Sequence, residues 1–112
     1  MFKRGGIYSV NLAHDEEGGK ETCPCLVVSN NISNEFSPVV TIVPLSFSNL
    51  EKIYEFETFL PAGNNGLGKD AKISSHIIIT IDKTKVVGER LGLLTKSLMA
   101  KVDKALLFQL DL

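Results

Sequence analysis

A mainly β chain that ends in one C-terminal helix is the fold class this sequence predicts, and three patterns predict it. Apolar side chains alternate with polar ones in several short separated segments, the two-residue period of half-buried strands. Clusters of Gly, Asn, Ser and Pro punctuate those segments. Only the last twenty residues change to helical spacing.

From Gly6 to Leu12, Tyr8, Val10 and Leu12 alternate with Ser9 and Asn11, which predicts a first strand. His14 to Glu21 is polar and contains glycine, so it predicts a loop. Cys25 to Ser29 and Val39 to Ser46 are short β-branched runs that read as central strands, with Pro44, which lacks a ladder donor, marking an edge or bulge. The turn formers of Asn31 to Pro38 connect them. Tyr54, Phe56, Thr58 and Leu60 share one face of a fourth strand, and the glycines and asparagines of Pro61 to Asp70 form the next loop. Ile73, Ser75, Ile77, Ile79 and Ile81 then line one face of a long strand, with Lys72, Ser74, His76, Ile78, Thr80 and Asp82 on the other. In the final helix, Leu98, Val102, Ala105, Leu106 and Gln109 fall on one stripe and Thr95 is its N-cap. About five or six strands with long polar loops and one helix make a small, strongly curved sheet or barrel the natural architecture.

With 112 residues, 44% hydrophobic and 22% charged, and with no linker-like stretch, the chain reads as a single soluble domain over 1–112. The apolar runs Ile77–Ile79 and Val39–Pro44 are too short to span a bilayer, and no apolar leader opens the chain. A cytoplasmic location without membrane contact is expected. Cys23 and Cys25 are too close for ordinary disulfide geometry in an extended segment and too few for a zinc site, so free thiols, no metal and no cofactor are expected. A formal net charge of −1 argues against strong non-specific nucleic-acid binding. Any RNA site must be local, drawing on Lys3, Arg4, Lys20, Lys52, Lys69 or Lys72, with Asp15, Glu16 and Glu17 opposing Lys20.

Taken in order, KRGGIYSVNL, CPCLVVSNNISNEFSPVVTIVPLS, GLGKDA, ITIDK and LMAKVDKAL resemble the MazF/PemK toxins over nearly the whole chain. The resemblance implies an SH3-like β-barrel of the PemK/CcdB-like toxin fold and a homodimer. It implies metal-independent, sequence-specific cleavage of single-stranded RNA, and control by an antitoxin protein through which the pair reaches operator DNA. The family's arginine before the proline of the second strand corresponds to Cys23, before Pro24. Its second arginine, before Thr-Ile-Asp-Lys, corresponds to Ile79. The resemblance matches Ser46 to a site threonine, places His76 where relatives carry an acidic or polar residue, and puts His14 in the loop that covers the site.

Such cleavage asks a ribose 2′-hydroxyl to attack its neighbouring phosphorus, so the site needs a base, an acid and a cation or donors for the phosphorane. Neither Cys23 nor Ile79 carries a positive charge to a phosphate. Ser46 and His76 are therefore the catalytic candidates, and His14, Lys20, Cys23 and Pro24 the substrate-binding ones. Two other functions compete with the nuclease. One is a silent homologue that binds antitoxin or nucleic acid without cutting. The other is a β-barrel interaction module using Phe36, Phe47 and Phe59, although core packing under the long loops is the favoured expectation for these side chains.

Overall fold

The structure is a computed structural model that describes residues 2–12 and 21–112. His14 and Lys20 lie outside the described residues. The chain runs β1 (Gly6–Asn11), β2 (Thr22–Val27), α1 (Asn31–Phe36), β3 (Val39–Ser46), β4 (Glu57–Leu60), β5 (Ala71–Ser74), β6 (Ile79–Asp82), β7 (Val86–Leu93) and α2 (Lys96–Leu110). The strands pair antiparallel in the order β4-β5-β3-β2-β1-β7, with β6 beside β3. This is the mainly β, small barrel-like fold with a C-terminal helix. Among the described residues the ladder does not close between β4 and β7, but the loop after β4 lies directly on β7. A β-carbon on Gly92 would stand 2.7 Å from the Asn65 carbonyl oxygen, and Gly66, at φ +70°, approaches the Leu91 carbonyl still more closely. Glycine is required where two backbones meet in this way.

Strand alternation divides the core between two faces. Ile7, Leu26, Val43, Leu45, Leu60, Ala71 and Ile73 turn toward α2 and pack with Leu94 and Val102. Tyr8, Val10, Cys25, Val27, Val40 and Ile42 form the other cluster, against which Cys23, Ile79, Ile81 and Val86 pack. Burial of these side chains, at roughly 1.5–3 kcal/mol each, is the main force holding the sheet curved. The N-terminus of α2 is capped as its sequence predicts, the Thr95 hydroxyl accepting from the Leu98 N–H at 3.2 Å. Arg4 fastens the chain start to this helix through Asp103 at 2.6 Å.

Four expectations are corrected. The turn predicted between Asn31 and Pro38 contains α1, capped by Asn30, whose side chain accepts from the Ser33 N–H at 2.8 Å. Buried Asn34 anchors it through bonds to Ser29. The long strand predicted through Ile73–Ile81 is two strands, broken by a turn in which the Ile77 N–H donates to the Ser74 carbonyl at 3.1 Å. β5 then pairs with Leu45 and Ser46, whereas β6 pairs with Val39 to Ile42. Pro44 stands in the gap where β3 passes from one partner to the other, so its missing donor interrupts neither ladder. The fourth strand begins at Glu57 rather than Tyr54, and β7 was not foreseen.

Candidate functional site

The site is set by the register of three strands. β2 pairs with β3 at Cys25↔Pro44, Leu26↔Val43 and Val27↔Ile42. Continuing that register two residues brings Cys23 level with Ser46, and the Cys23 Sγ lies 3.9 Å from the Leu45 carbonyl oxygen. On its other side, Cys23 pairs with Val10 of β1, and Pro24 pairs with Ser9. Ser46 closes β3, where its hydroxyl accepts from the Ser48 N–H at 3.3 Å and retains its own proton to donate. The structure therefore brings Cys23, Pro24 and Ser46 together at one end of the β2–β3 pair.

His76 and Ile79 lie elsewhere along the same strands. Ser46 pairs with Lys72 at the start of β5, and His76 follows the far end of that strand. β5 ends at Ser74, and the chain turns before it reaches His76. His76 is exposed in the β5–β6 turn, with its ring 4.4 Å from that of Phe56. Ile79 pairs with Ile42, four residues from Ser46, and packs with Ile81 on the second core cluster. Cys23 and Ile79 thus belong to one apolar face, each filling its position with carbon or sulfur.

The cations sort by what already holds them. Lys72 is buried, and its ammonium lies 3.0 Å from Glu57 Oε2 while donating to the carbonyls of Asn49 at 3.1 Å and Lys52 at 3.4 Å. It is committed to the loop that follows Ser46 and is not free for a phosphate. Arg4 is tied to Asp103, and its Nε donates to the Val28 carbonyl at 2.8 Å. Lys69 is different: it is exposed, with its ammonium 4.1 Å from the ring centroid of Phe47, the residue next to Ser46. Sequence spacing gave no sign of this pairing, because the loop 61–70 must fold back before Lys69 meets Phe47. Among the described residues, no three His, Cys, Asp or Glu side chains cluster to hold a metal ion.

Comparison with known proteins places this geometry. The model of the PemK-like, MazF-like toxins of type II toxin-antitoxin systems matches residues 3–110. The chain belongs to that family. It is 33% identical to endoribonuclease MazF9 of Mycobacterium tuberculosis over 100% of this chain and 98% of the relative. It is 31% identical to endoribonuclease EndoA of Bacillus subtilis, over 100% and 97%. A solved endoribonuclease in complex with its cognate antitoxin, from a mycobacterial species, superposes with a TM-score of 0.83 at 26% identity, over 100% of this chain and 97% of the other.

Within this family fold, position 23 carries an unusual thiol. The Cys25 thiol donates to the Cys23 carbonyl oxygen at 3.5 Å, and the coupling of the two thiols lowers the Cys23 pKa to about 7 against the opposing effect of burial and pushes Cys25 up. The thiolate is the reactive form. Iodoacetamide is therefore expected to label partly buried Cys23 before buried Cys25, at a rate that rises through pH 7 and levels off above pH 8. Peptide mapping by mass spectrometry checks this, and equal labelling of the two thiols would contradict it. In a Cys25→Ala variant, the midpoint is expected to climb toward the ordinary thiol range.

Proposed function

We propose that this chain is the toxin of a type II toxin-antitoxin pair, a cytoplasmic endoribonuclease that cleaves single-stranded RNA at specific sequences without a metal. The observation that carries this reading is the family match over residues 3–110, which takes in every strand and all of α2. Relatives of nearly the same length bear the name endoribonuclease, and a structural neighbour is bound to its cognate antitoxin. By the same likeness the partners are a second copy of the chain, an antitoxin protein, and operator DNA reached through the antitoxin complex.

The chemistry is a transesterification. The ribose 2′-oxygen bonds to the adjacent phosphorus and loses its proton to a base, the bond from phosphorus to the 5′-oxygen breaks, and that oxygen gains a proton. The cut ends are a 2′,3′-cyclic phosphate and a 5′-hydroxyl. Ser46 is assigned the hydrogen bond to the phosphate, a role that its free O–H at the open end of β3 suits. Lys69 beside Phe47, with Lys20 from the sequence between β1 and β2, is assigned the positive charge that position 23 lacks. Cys23, on the Ser46 face of β2, and Pro24 beside it in the chain are kept as substrate contacts. His14 is kept as a substrate contact from the same stretch of sequence as Lys20, and His76, in the turn after β5, is assigned no phosphate contact.

The test is incubation of the purified protein with a long single-stranded RNA in EDTA and mapping of the new 5′ ends. Discrete cuts are expected, and Ser46→Ala is expected to slow them by about two orders of magnitude, the usual loss for one transition-state donor. A second reading, binding of antitoxin or RNA without cutting, draws on Cys23 and Ile79 lying in an apolar cluster. Absence of cuts by a protein that still binds RNA would establish it in place of the nuclease.

A further inference from the structure

Away from Ser46, three rings from two segments stack into a column. Tyr54 and Phe56 have centroids 5.1 Å apart and planes within 5° of parallel. His76 tilts onto Phe56 at 58°, with centroids 4.4 Å apart. The Lys52 ammonium lies 4.8 Å from the Tyr54 ring centroid. Core packing does not explain the arrangement, because Tyr54 is 46% exposed and His76 is exposed beside it.

The column is also built rigidly. The Tyr54 N–H donates to Glu57 Oε1 at 3.1 Å, and the Tyr54 carbonyl accepts from the Glu57 N–H at 2.9 Å. The Phe56 carbonyl accepts from the Ser75 N–H at 3.0 Å, which fixes the histidine turn against the aromatic segment. Lys72 completes the support by holding Glu57 from below and the carbonyls of Asn49 and Lys52 from the side. A buried ion pair therefore preorganises the loop that displays the rings.

We propose that Tyr54, Phe56 and His76 form a base-stacking platform for the single-stranded RNA, a subsite one end of β5 away from Ser46. This rests on the reading of RNA as the substrate. Every base has a π-face, so aromatic side chains bind single strands with little regard for sequence, and stacking contributes about 1–3 kcal/mol per base. Lys52 moves from the ring to the backbone phosphate when a base takes its place. Glu51 and Glu55 are exposed in the same segment and discourage a long run of phosphate contacts. Affinity at this subsite therefore comes from rings, and its dependence on salt is shallow, a slope of about −0.7 for one phosphate contact.

The chain has no tryptophan, so Tyr54→Trp places a single indole reporter in the column. The ligand is a 2′-O-methyl RNA of about 12 nucleotides, within the usual size of single-strand sites and without the nucleophile needed for cleavage. Saturable quenching of the indole by this RNA, and little by the same sequence as a duplex, is expected. By fluorescence anisotropy, Tyr54→Leu is expected to weaken binding about tenfold, the low end of one lost stack, and Tyr54→Phe to restore it. An unquenched indole, quenching by peptide alone, or Tyr54→Leu binding as tightly as the parent with a steep salt slope would each overturn the platform. With cleavable RNA the two readings separate. Cutting with an unquenched indole keeps the nuclease and removes the platform, whereas quenching without cutting keeps the platform and removes the nuclease.

Discussion

Cys23→Arg is expected to raise the rate of RNA cleavage in EDTA by about two to three orders of magnitude, the size of effect that one preorganised donor supplies to a charged transition state. The expectation rests on register. Cys23 is level with Ser46 and only partly buried, so a longer side chain at 23 can extend from the end of the β2–β3 pair. A guanidinium there stays charged and presents its donors in a fork that fits phosphate oxygens. Cys23→Lys brings the charge without the fork and is expected to gain less. Ile79→Arg alone is expected to gain least, because Ile79 is level with Ile42, four residues from Ser46, and leaving the second core cluster costs packing. Single-turnover rates with an end-labelled RNA measure the series, and thermal melting confirms that each variant is folded. A flat response in a folded Cys23→Arg variant would mean that the phosphate lies away from the β2–β3 end.

Much of this geometry was legible in the sequence, and the failures have physical causes. α2 was readable because one side of it is packed and the other is not, which writes a period into the residues. β1 and β3 are packed on both faces and were readable from the polar Ser9 and Asn11 between apolar residues and from an unbroken β-branched run. β7 carries Gly88 and Gly92 and leaves Val87, Leu91 and Leu93 substantially exposed at the edge of the sheet, so no alternation marks it. The split between β5 and β6 is concealed because Ser74, Ser75 and His76 contain neither Gly nor Pro, and isoleucines continue in phase on both sides of the turn. α1 has six residues, too few for a period, although Asn30 was a readable cap. At the site, family resemblance located Cys23, Ser46 and Ile79, and alternation alone would have singled out none of them. Lys72 was the main surprise. On an alternating strand it reads as solvent-facing, yet β5 is covered on both faces, and all four of its residues are buried.

Breaking the Lys72–Glu57 pair is expected to cost about 3–5 kcal/mol, the usual penalty for leaving one member of a buried ion pair without its partner. The two side chains are only 8% and 5% exposed, so solvent does little to screen them. Lys72→Met strands the Glu57 carboxylate and frees the Asn49 and Lys52 carbonyls, and Glu57→Gln strands the ammonium while weakening the bond to the Tyr54 N–H. For a domain of this size, either loss corresponds to a fall in melting temperature on the order of 15 °C. The double variant Lys72→Met/Glu57→Leu removes both charges and is expected to recover much of the stability, because an apolar pair of similar volume often replaces a buried ion pair without loss. Urea titration of the parent, Lys72→Met, Glu57→Leu and the double variant closes the cycle and gives the coupling energy directly. Additive losses would mean that the pair is not coupled. A double variant that is stable yet has lost the Tyr54-dependent part of RNA binding would separate two roles: the fold needs the charges matched, whereas the aromatic column needs those charges present to hold residues 49–57 in place.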